Sequence, residues 1–282
     1  MSIQIVADSS ANLIRAEIPN FTSVPLKILT DGKEYVDDRD LNVSALLREL
    51  RDYTGRSSSA CPSPGEWLAA FGDAEQVVGV ALTSAISGAY NAAHIAAEDY
   101  MTQYPGRRVF ILDSLSTGPE LELIVEKYQE LIAIGLSFDA ICDAIQKYSA
   151  YTHLIFSLAS LLNFARNGRV NPAMAKIAGL LGIHVVGRAS KSGELEPLYK
   201  PRGEAASLQT LMKCLAAEGF NGGKLRIRHS DNAEDAEALA EMILSAYPSA
   251  DIRIGENYGL CSYYAEKGGL LVGFEGRNKQ QA

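Results

Sequence analysis

The segment VVGVALTSAISGAY, residues 77–90, decides how this chain folds. Its first six residues form an apolar, valine-rich run that is typical of a buried strand, and the TSAISG that follows is typical of a turn before a helix. Apolar residues at helical spacing then continue from Ala89 to Met101. Such strand–turn–helix units build sheets with parallel strands.

Two further segments repeat this pattern in the first half of the chain. A predicted strand at Ile3–Ala7 runs into Asp-Ser-Ser, and a strand at Val109–Leu112 runs into DSLSTG before a helix at Pro119–Ile134. A fourth strand is predicted at Val24–Leu29. Residues 1–150 are therefore expected to form an N-terminal domain with a mainly parallel sheet flanked by helices.

A second α/β domain is predicted for residues 151–282. An amphipathic stretch at Leu158–Phe164 follows its first strand, and a helix is expected to start at Asn171 and Pro172. The predicted strands are His153–Ser157, Ile183–Val186, Glu196–Tyr199, Leu225–Arg228, Asp251–Ile254 and Leu270–Phe274, with helices at Gly203–Ala217 and Asn232–Ala246. The sequence shows no repeat of fixed period, so a solenoid is not expected.

Composition and charge exclude several classes of function. With a formal charge of -8, the 282-residue chain is a poor match for nucleic acid, which requires a basic surface. No apolar run is long enough to span a bilayer, and the start MSIQIVADSS lacks the basic region of a signal peptide, so a cytoplasmic protein without stable membrane insertion is expected. The four cysteines and four histidines are scattered, which predicts reduced thiols and neither a metal site nor another cofactor.

The hydroxyl-rich turns form the main candidate site. In an open parallel sheet, ligands bind outside the carboxyl ends of the strands, where helix N-termini present free N–H groups. Ser87 can cap the helix that starts at Ala89, and Gly88 lets a ligand oxygen approach the backbone, so an anion is the expected ligand. Asp8, Ser9, Thr83, Ser84 and Ser114 are predicted to support this cleft.

Other interpretations of the same turns stay open. Serine and threonine are ordinary helix caps, so the turns also fit a purely structural role. An enzyme acting on a small anion is the alternative function, with Asp8 or Asp113 as general base. Nucleotide-binding glycine motifs and the G-x-S-x-G elbow of hydrolases are absent, which disfavours nucleotide and leaves a hydrolase unsupported.

Several short segments, in order along the chain, resemble those of the DegV family. They are VADSSANL (6–13), VPL (24–26), YVDD (35–38), SACPSPGE (59–66), SAISGAY (84–90), the strand end at 109–118, LNFARNGR (162–169), LGI (181–183) and KPRG (200–203). The resemblance extends from about Ile3 to Phe274. It implies a two-domain fold with a ligand tunnel between the domains.

The resemblance also implies a function and site residues. DegV-like proteins bind a long-chain fatty acid and present its carboxylate to a separate fatty-acid kinase, which forms acyl phosphate for phospholipid synthesis, so the chain is expected to be a carrier and not an enzyme acting alone. By motif position, Ser59 and Ser87 are expected to contact the carboxylate, with Gly88 beside them. Arg169 and Arg202 are candidates for the kinase-facing surface. The alternative for this basic region is a solvated surface with Arg169 in an internal ion pair.

One position departs from the family pattern. Many relatives carry a histidine in a segment near the C-terminus, whereas here Tyr264 falls at that position. A phenol can donate a hydrogen bond to a carboxylate but cannot supply a cation near neutral pH. Tyr264 is therefore predicted either to join the carboxylate site or to be a core aromatic residue. The sequence predicts neither the acyl-chain length of the ligand nor the oligomeric state of the protein.

Overall fold

The structure is a computed structural model of the chain, and it describes residues 3–14, 16–51, 53–171, 173 and 182–279.

The first half is built on a four-stranded parallel sheet. Its strands are, in spatial order, β2 (Phe21–Val24), β1 (Ile3–Asp8), β6 (Gln76–Ala81) and β7 (Arg108–Asp113). Helices α2 (Pro64–Phe71) and α3 (Ala89–Gln103) pack on one face, and α4 (Pro119–Ala133) and α5 (Phe138–Ser149) pack on the other. The parallel α/β architecture predicted for this half is confirmed.

The predicted strand at Val24–Leu29 is wrong, because two strands of different sheets meet there. Strand β2 ends at Val24, and β3 (Lys27–Thr30) belongs to a separate antiparallel sheet with β4 (Glu34–Val36) and β5 (Ser57–Ala60). Pro25 has no N–H for a ladder, which favours a break at that point. The backbone N–H of Leu26 instead donates to Ser9 Oγ at 3.0 Å.

This small sheet was not predicted, and helix α1 (Val43–Arg51) was not predicted either. Leu46 of α1 packs in a buried cluster with Ile28 of β3, Tyr35 of β4 and Tyr263. Because β3 pairs with β5, the strand that carries Ser59, the cluster places β5 beside the second half of the chain.

The second half contains a six-stranded sheet that is mostly antiparallel. The order is β10 (Leu195–Tyr199), β9 (Val185–Ala189), β8 (Thr152–Leu158), β13 (Leu270–Glu275), β11 (Lys224–His229) and β12 (Asp251–Glu256). Only the β11–β12 pair is parallel among these described strands. The second half is α/β as predicted, and its sheet is mostly antiparallel because β9 and β10 are joined by a short turn and β13 inserts between β8 and β11.

Four helices accompany this sheet in the described residues. Helices α7 (Glu204–Ala217) and α8 (Ala233–Ala246) cover one face, while α6 (Leu162–Arg166) and α9 (Gly259–Ala265) lie towards the first half of the chain. The helix predicted at Asn171 and Pro172 falls mainly on residues outside the described ranges.

Helix α4 joins the two halves. It contacts β1 and β6 on one side and β11 and β13 on the other. The fully buried Arg226 of β11 pairs with Glu126 of α4 at 2.7 Å, and Arg228 pairs with Glu122 at 2.8 Å. The division of the chain at residues 150 and 151 stays a prediction.

Candidate functional site: a cavity between the two sheets

The carboxyl edge of the parallel sheet faces the second sheet across a cavity of about 300 Å³. One wall is made of β8 and β13, and it is apolar because every second residue of β8 points into the cavity. The apolar lining consists mainly of Leu26, Leu82, Leu154, Phe156, Leu158, Phe164, Leu195, Leu260 and Leu271. Such a lining favours a hydrocarbon ligand.

Ser59 and Tyr264 bring a polar pair to this cavity from two distant parts of the chain. Ser59 lies in β5 and Tyr264 in α9, and their hydroxyl oxygens are 2.7 Å apart. The Tyr264 ring packs on Phe164, with ring centroids 4.6 Å apart. Burial raises the pKa of Tyr264, while the hydrogen bond to Ser59 and the charge of Arg169 act in the opposite direction. Tyr264 is thus a neutral hydrogen-bonding group at the cavity wall.

Ser87 and Gly88 line the cavity at the start of α3. Ser87 Oγ accepts a hydrogen bond from the backbone N–H of Ala89 at 3.2 Å, so its own O–H can donate to a ligand. A side chain at Gly88 would bring a Cβ atom to 3.1 Å from Cys61 Sγ. The absence of a side chain therefore keeps this part of the wall open.

Arg169 also lines the cavity, although the sequence assigned it to a partner-facing surface. Its Nη1 donates to the carbonyl oxygen of Asn167 at 2.6 Å and its Nε donates to that of Ile86 at 3.4 Å. No carboxylate forms an ion pair with it within the described part of the chain, so the internal ion pair considered as an alternative is not found there. Two backbone carbonyls hold the guanidinium where it can face an anion.

Arg202 lies outside the cavity. It is exposed and pairs with Ile183 in an isolated β-bridge. Its assignment to a partner-facing surface stays a prediction, as does that of Arg169.

Asp8 and Ser9 support the cavity from behind. Asp8 is completely buried and accepts hydrogen bonds from the backbone N–H groups of Leu82 at 2.6 Å and Ser10 at 3.1 Å. Burial raises the pKa of Asp8 to about 6, against the effect of these hydrogen bonds. Ser9 and Asp8 fix the ends of β2 and β6 but do not line the cavity.

The remaining predicted residues divide in the same way. Thr83 lines the cavity and accepts a hydrogen bond from the N–H of Ala85. Ser84 is exposed and donates to Asp113 at 2.5 Å, while Ser114 Oγ donates to the carbonyl oxygen of Ser116 at 2.9 Å. Ser84, Asp113 and Ser114 stabilise the turns and are not part of the cavity lining.

Asp37, which the sequence did not single out as a site residue, orients α9. Its carboxylate oxygens accept from the backbone N–H groups of Gly259 at 2.8 Å and Leu260 at 3.0 Å. Burial raises the pKa of Asp37 to about 6, and the neighbouring Asp8 adds to the increase. Asp37 thereby positions the helix that carries Tyr264.

Sequence reasoning also missed the apolar wall and the hydroxyls of Ser116 and Thr117. The alternation of Leu154, Phe156 and Leu158 in β8 is a period-two signal that could have identified the wall. Ser116 and Thr117 stand in the DSLSTG turn, but no local pattern distinguishes a cavity-lining hydroxyl from a structural one.

Neither a metal centre nor a membrane span appears in the described residues. They contain no cluster of three or more His, Cys, Asp and Glu that could hold a metal ion. Among the described helices, none combines the length and the apolar character needed to cross a bilayer.

Fold and site together define a class: a two-lobed α/β protein that encloses an apolar cavity with hydroxyl groups at the strand ends. A family model described as "Uncharacterised protein, DegV family" matches residues 2–275. A DegV domain-containing protein of Streptococcus pneumoniae is 38% identical over 279 residues, covering 98% of this chain and 99% of the relative. The chain therefore belongs to the DegV family.

Solved structures of similar proteins contain fatty acids. A DegV family protein from Eubacterium eligens, loaded with heptadecanoic acid, is 41% identical with a TM-score of 0.95, covering 98% of this chain and 100% of that one. The Streptococcus pneumoniae fatty acid kinase (Fak) B3 protein, loaded with linoleic acid, is 38% identical with a TM-score of 0.96 and the same coverage. The two-domain DegV-like fold expected from the sequence is confirmed by these similarities.

Proposed function

We propose that this protein binds a long-chain fatty acid and presents its carboxylate to a fatty-acid kinase. The observation that carries the proposal is the cavity itself, which combines an apolar wall with polar side chains from β5, α3 and α9. The loaded structures from Eubacterium eligens and Streptococcus pneumoniae support the same ligand class.

Apolar burial supplies most of the affinity in this proposal. Each buried methylene contributes about 0.8 kcal/mol, so a chain of roughly fourteen methylenes offers about 11 kcal/mol before the cost of ordering it. The lining of leucine and phenylalanine side chains provides the matching surface.

Polar groups set the orientation of the acid. Ser59, Ser87 and Tyr264 offer hydroxyl donors to the carboxylate. Tyr264 stands in place of the family's usual histidine, and Arg169 offers the positive charge. Each hydrogen bond to the charged head group contributes about 1.5–3 kcal/mol. This is enough to discriminate between an acid and its uncharged ester.

The kinase partner is the finer part of the proposal. It is supported by the name of the similar Streptococcus pneumoniae protein and by the exposed Arg202, which is available for a partner surface. Transfer of the phosphoryl group then belongs to the kinase, and the carrier needs no catalytic residue of its own.

The alternative, an enzyme with Asp8 or Asp113 as general base, has less support. Asp8 is buried behind the cavity, and Asp113 accepts hydrogen bonds from the backbone N–H and the hydroxyl group of Ser84. Neither carboxylate lines the cavity in which a substrate would lie.

Lipid extraction tests the carrier proposal directly. The purified protein is denatured and extracted, and mass spectrometry is expected to find about one fatty acid per chain. In titrations with the delipidated protein, Ser87→Ala should weaken binding of the acid by roughly tenfold or more while changing binding of the methyl ester much less. Equal affinities of wild type and variant for the acid, with unchanged discrimination against the ester, would remove Ser87 from the head-group site.

The kinase step is tested with the same loaded protein. Mixed with a bacterial fatty-acid kinase and ATP, it should yield acyl phosphate. Bound fatty acid without any acyl phosphate would contradict the partnership with that kinase and leave the carrier proposal intact.

A further inference from the structure

Ser116 differs from the other serine, threonine and tyrosine residues of the cavity lining in the hydrogen bonding of its hydroxyl group. It is 1% exposed, and its Oγ has no hydrogen-bond partner among the described residues. Ser59 is hydrogen-bonded to Tyr264. Ser87 Oγ accepts from the N–H of Ala89, while Gly88 and not Ser87 is the N-cap of α3. Thr83 likewise accepts from Ala85, and Thr117 is hydrogen-bonded to Cys261.

The backbone of Ser116 is held in place on both sides. Its N–H donates to Ser114 Oγ at 3.0 Å, and its carbonyl oxygen accepts from Ser114 Oγ at 2.9 Å and from the N–H of Thr83 at 2.9 Å. The preceding Leu115 has a φ of 51°, a conformation that few leucines adopt. The turn thus fixes where the free hydroxyl stands, at the cost of an unfavourable backbone conformation.

The cavity that Ser116 lines has mainly apolar walls. Its lining includes Leu82, which follows β6, and Leu154 and Leu271 from the opposite wall. Because Ser116 Oγ is already buried without a partner, a saturated hydrocarbon chain in this cavity leaves it unpartnered. A chain oxygen within reach would supply the missing partner, so such a ligand is favoured over a saturated one.

We propose that Ser116 is a specificity-determining residue that recognises an oxygen atom carried on the hydrocarbon chain of the ligand. The preferred ligands are then hydroxy- or oxo-substituted fatty acids. This inference rests on the proposed function, because it names a subclass of the same ligand. It assigns the head group to Ser59, Ser87 and Tyr264 and the chain substituent to Ser116, which comes from a different strand end.

The hydrogen bond between Ser116 and a hydroxyl or oxo group on the ligand chain involves no charged group. Ser116 can donate to an oxo group, and it can donate to or accept from a hydroxyl group. A pocket built to hydrogen-bond a substituent discriminates against a ligand that lacks it more strongly than an apolar pocket discriminates by size.

The test compares ligands that differ only in the chain substituent. The delipidated protein is titrated with stearic acid and with a series of hydroxystearic acids that differ in the position of the hydroxyl group, each in competition with a fluorescent fatty acid. One positional isomer should bind about five- to tenfold tighter than the other isomers. Ser116→Ala should abolish that preference and leave the affinity for stearic acid within about twofold of the wild type.

Two further variants keep the result interpretable. Ser116→Cys retains the size of the side chain with a weak hydrogen-bonding group, and it should also lose the preference if Ser116→Ala proves unstable. Ser84→Ala removes a strand-end hydroxyl outside the cavity and should keep the preference.

Three results overturn the inference: no isomer is favoured, the preference survives in both Ser116 variants, or Ser84→Ala loses it equally. If stearic acid binds but no isomer is favoured, the carrier proposal stands and only the role of Ser116 falls. If no fatty acid binds at all, both fall.

Discussion

The two sheets contribute to the cavity in opposite ways. The parallel sheet contributes its edge, because β1, β6 and β7 end side by side and the turns after them contain hydroxyl groups. The mostly antiparallel sheet contributes a face, because alternate residues of β8 and a residue of β13 point their apolar side chains at that edge. The parallel sheet therefore supplies polar groups in its turns, and the antiparallel sheet supplies apolar surface.

This difference separates orientation from affinity. Apolar area determines how tightly a hydrocarbon chain is held, whereas a few hydrogen bonds determine which end of the ligand meets them. Changes to the apolar face should therefore have larger effects on binding than changes to single hydroxyl groups.

The largest effect is expected from Leu271→Asp in β13. Leu271 is buried in the apolar wall, and a carboxylate there would be an unpaired charge facing a hydrocarbon chain. The cost of about 3–5 kcal/mol predicts a loss of affinity of at least a hundredfold. Fatty-acid titration checks this, with thermal unfolding to verify that the variant is folded.

Leu198→Asp is the matched control for this change. Leu198 lies in β10, is 37% exposed and does not line the cavity, so its replacement should leave affinity within twofold. A folded Leu271→Asp protein with nearly normal affinity would refute the role of the apolar face.

An effect of about 3 kcal/mol on stability is expected from each of two buried carboxyl groups between the two regions. Asp8 and Asp37 have pKa values of about 6 in the folded protein, above the ordinary value of 3.8. Below that ordinary value both groups are protonated in the folded and unfolded states, and their stabilising contribution is complete. As the pH rises, the unfolded chain loses these protons first, so the contribution is lost up to about pH 6. A shift of about two pKa units corresponds to about 3 kcal/mol for each group.

Asp37→Asn removes one of these titrations. The free energy of unfolding, measured with denaturant between about pH 4 and pH 7, should show that the variant's deficit relative to the wild type narrows as the pH rises. Asp73→Asn makes the same substitution at an exposed position and serves as the control for it. A deficit for Asp37→Asn that widens with rising pH would contradict a raised pKa.

The smallest effect is expected for Tyr264→Phe. The change keeps the ring on Phe164 and removes the hydroxyl that is bonded to Ser59. Loss of about 1.5 kcal/mol, the low end for a hydrogen bond to a charged group, should weaken fatty-acid binding roughly tenfold in titrations. Tyr263→Phe is the control, because the Tyr263 hydroxyl bonds to Ser57 and Asn167 and does not line the cavity. Equal losses of affinity in the two variants would assign Tyr264 to the core alone.

The parts of the fold that could be predicted are those with strong local signals. The strands that became β1, β6 and β7 are short apolar runs followed by turn residues, and each prediction agrees with the structure to within about two residues. The small sheet of β3, β4 and β5 was missed because its strands are only three or four residues long, and Ser57–Ala60 contains no strongly apolar residue apart from alanine.

The candidate site could be predicted only in part for a related reason. Thr83 and Ser87 stand in the turn between β6 and α3, so their place at the sheet edge could be inferred from the sequence and they do line the cavity. Asp8 ends β1 and Ser114 follows β7, yet both bond to the backbone and do not line the cavity. Side-chain direction within a turn depends on hydrogen bonds to neighbouring strands, which local sequence does not specify.

The sequence by itself determined the parallel α/β half, the hydroxyl-rich strand ends and the membership of a family, because periodicity and turn chemistry are local properties of the chain. Only the tertiary structure decided that Ser59 meets Tyr264, that Arg169 turns towards the cavity and that Ser116 stays without a partner. Ser59 and Tyr264 lie on separate elements and are joined by the packing of α9 on β3, and such contacts follow from how apolar surfaces fit together across the whole fold.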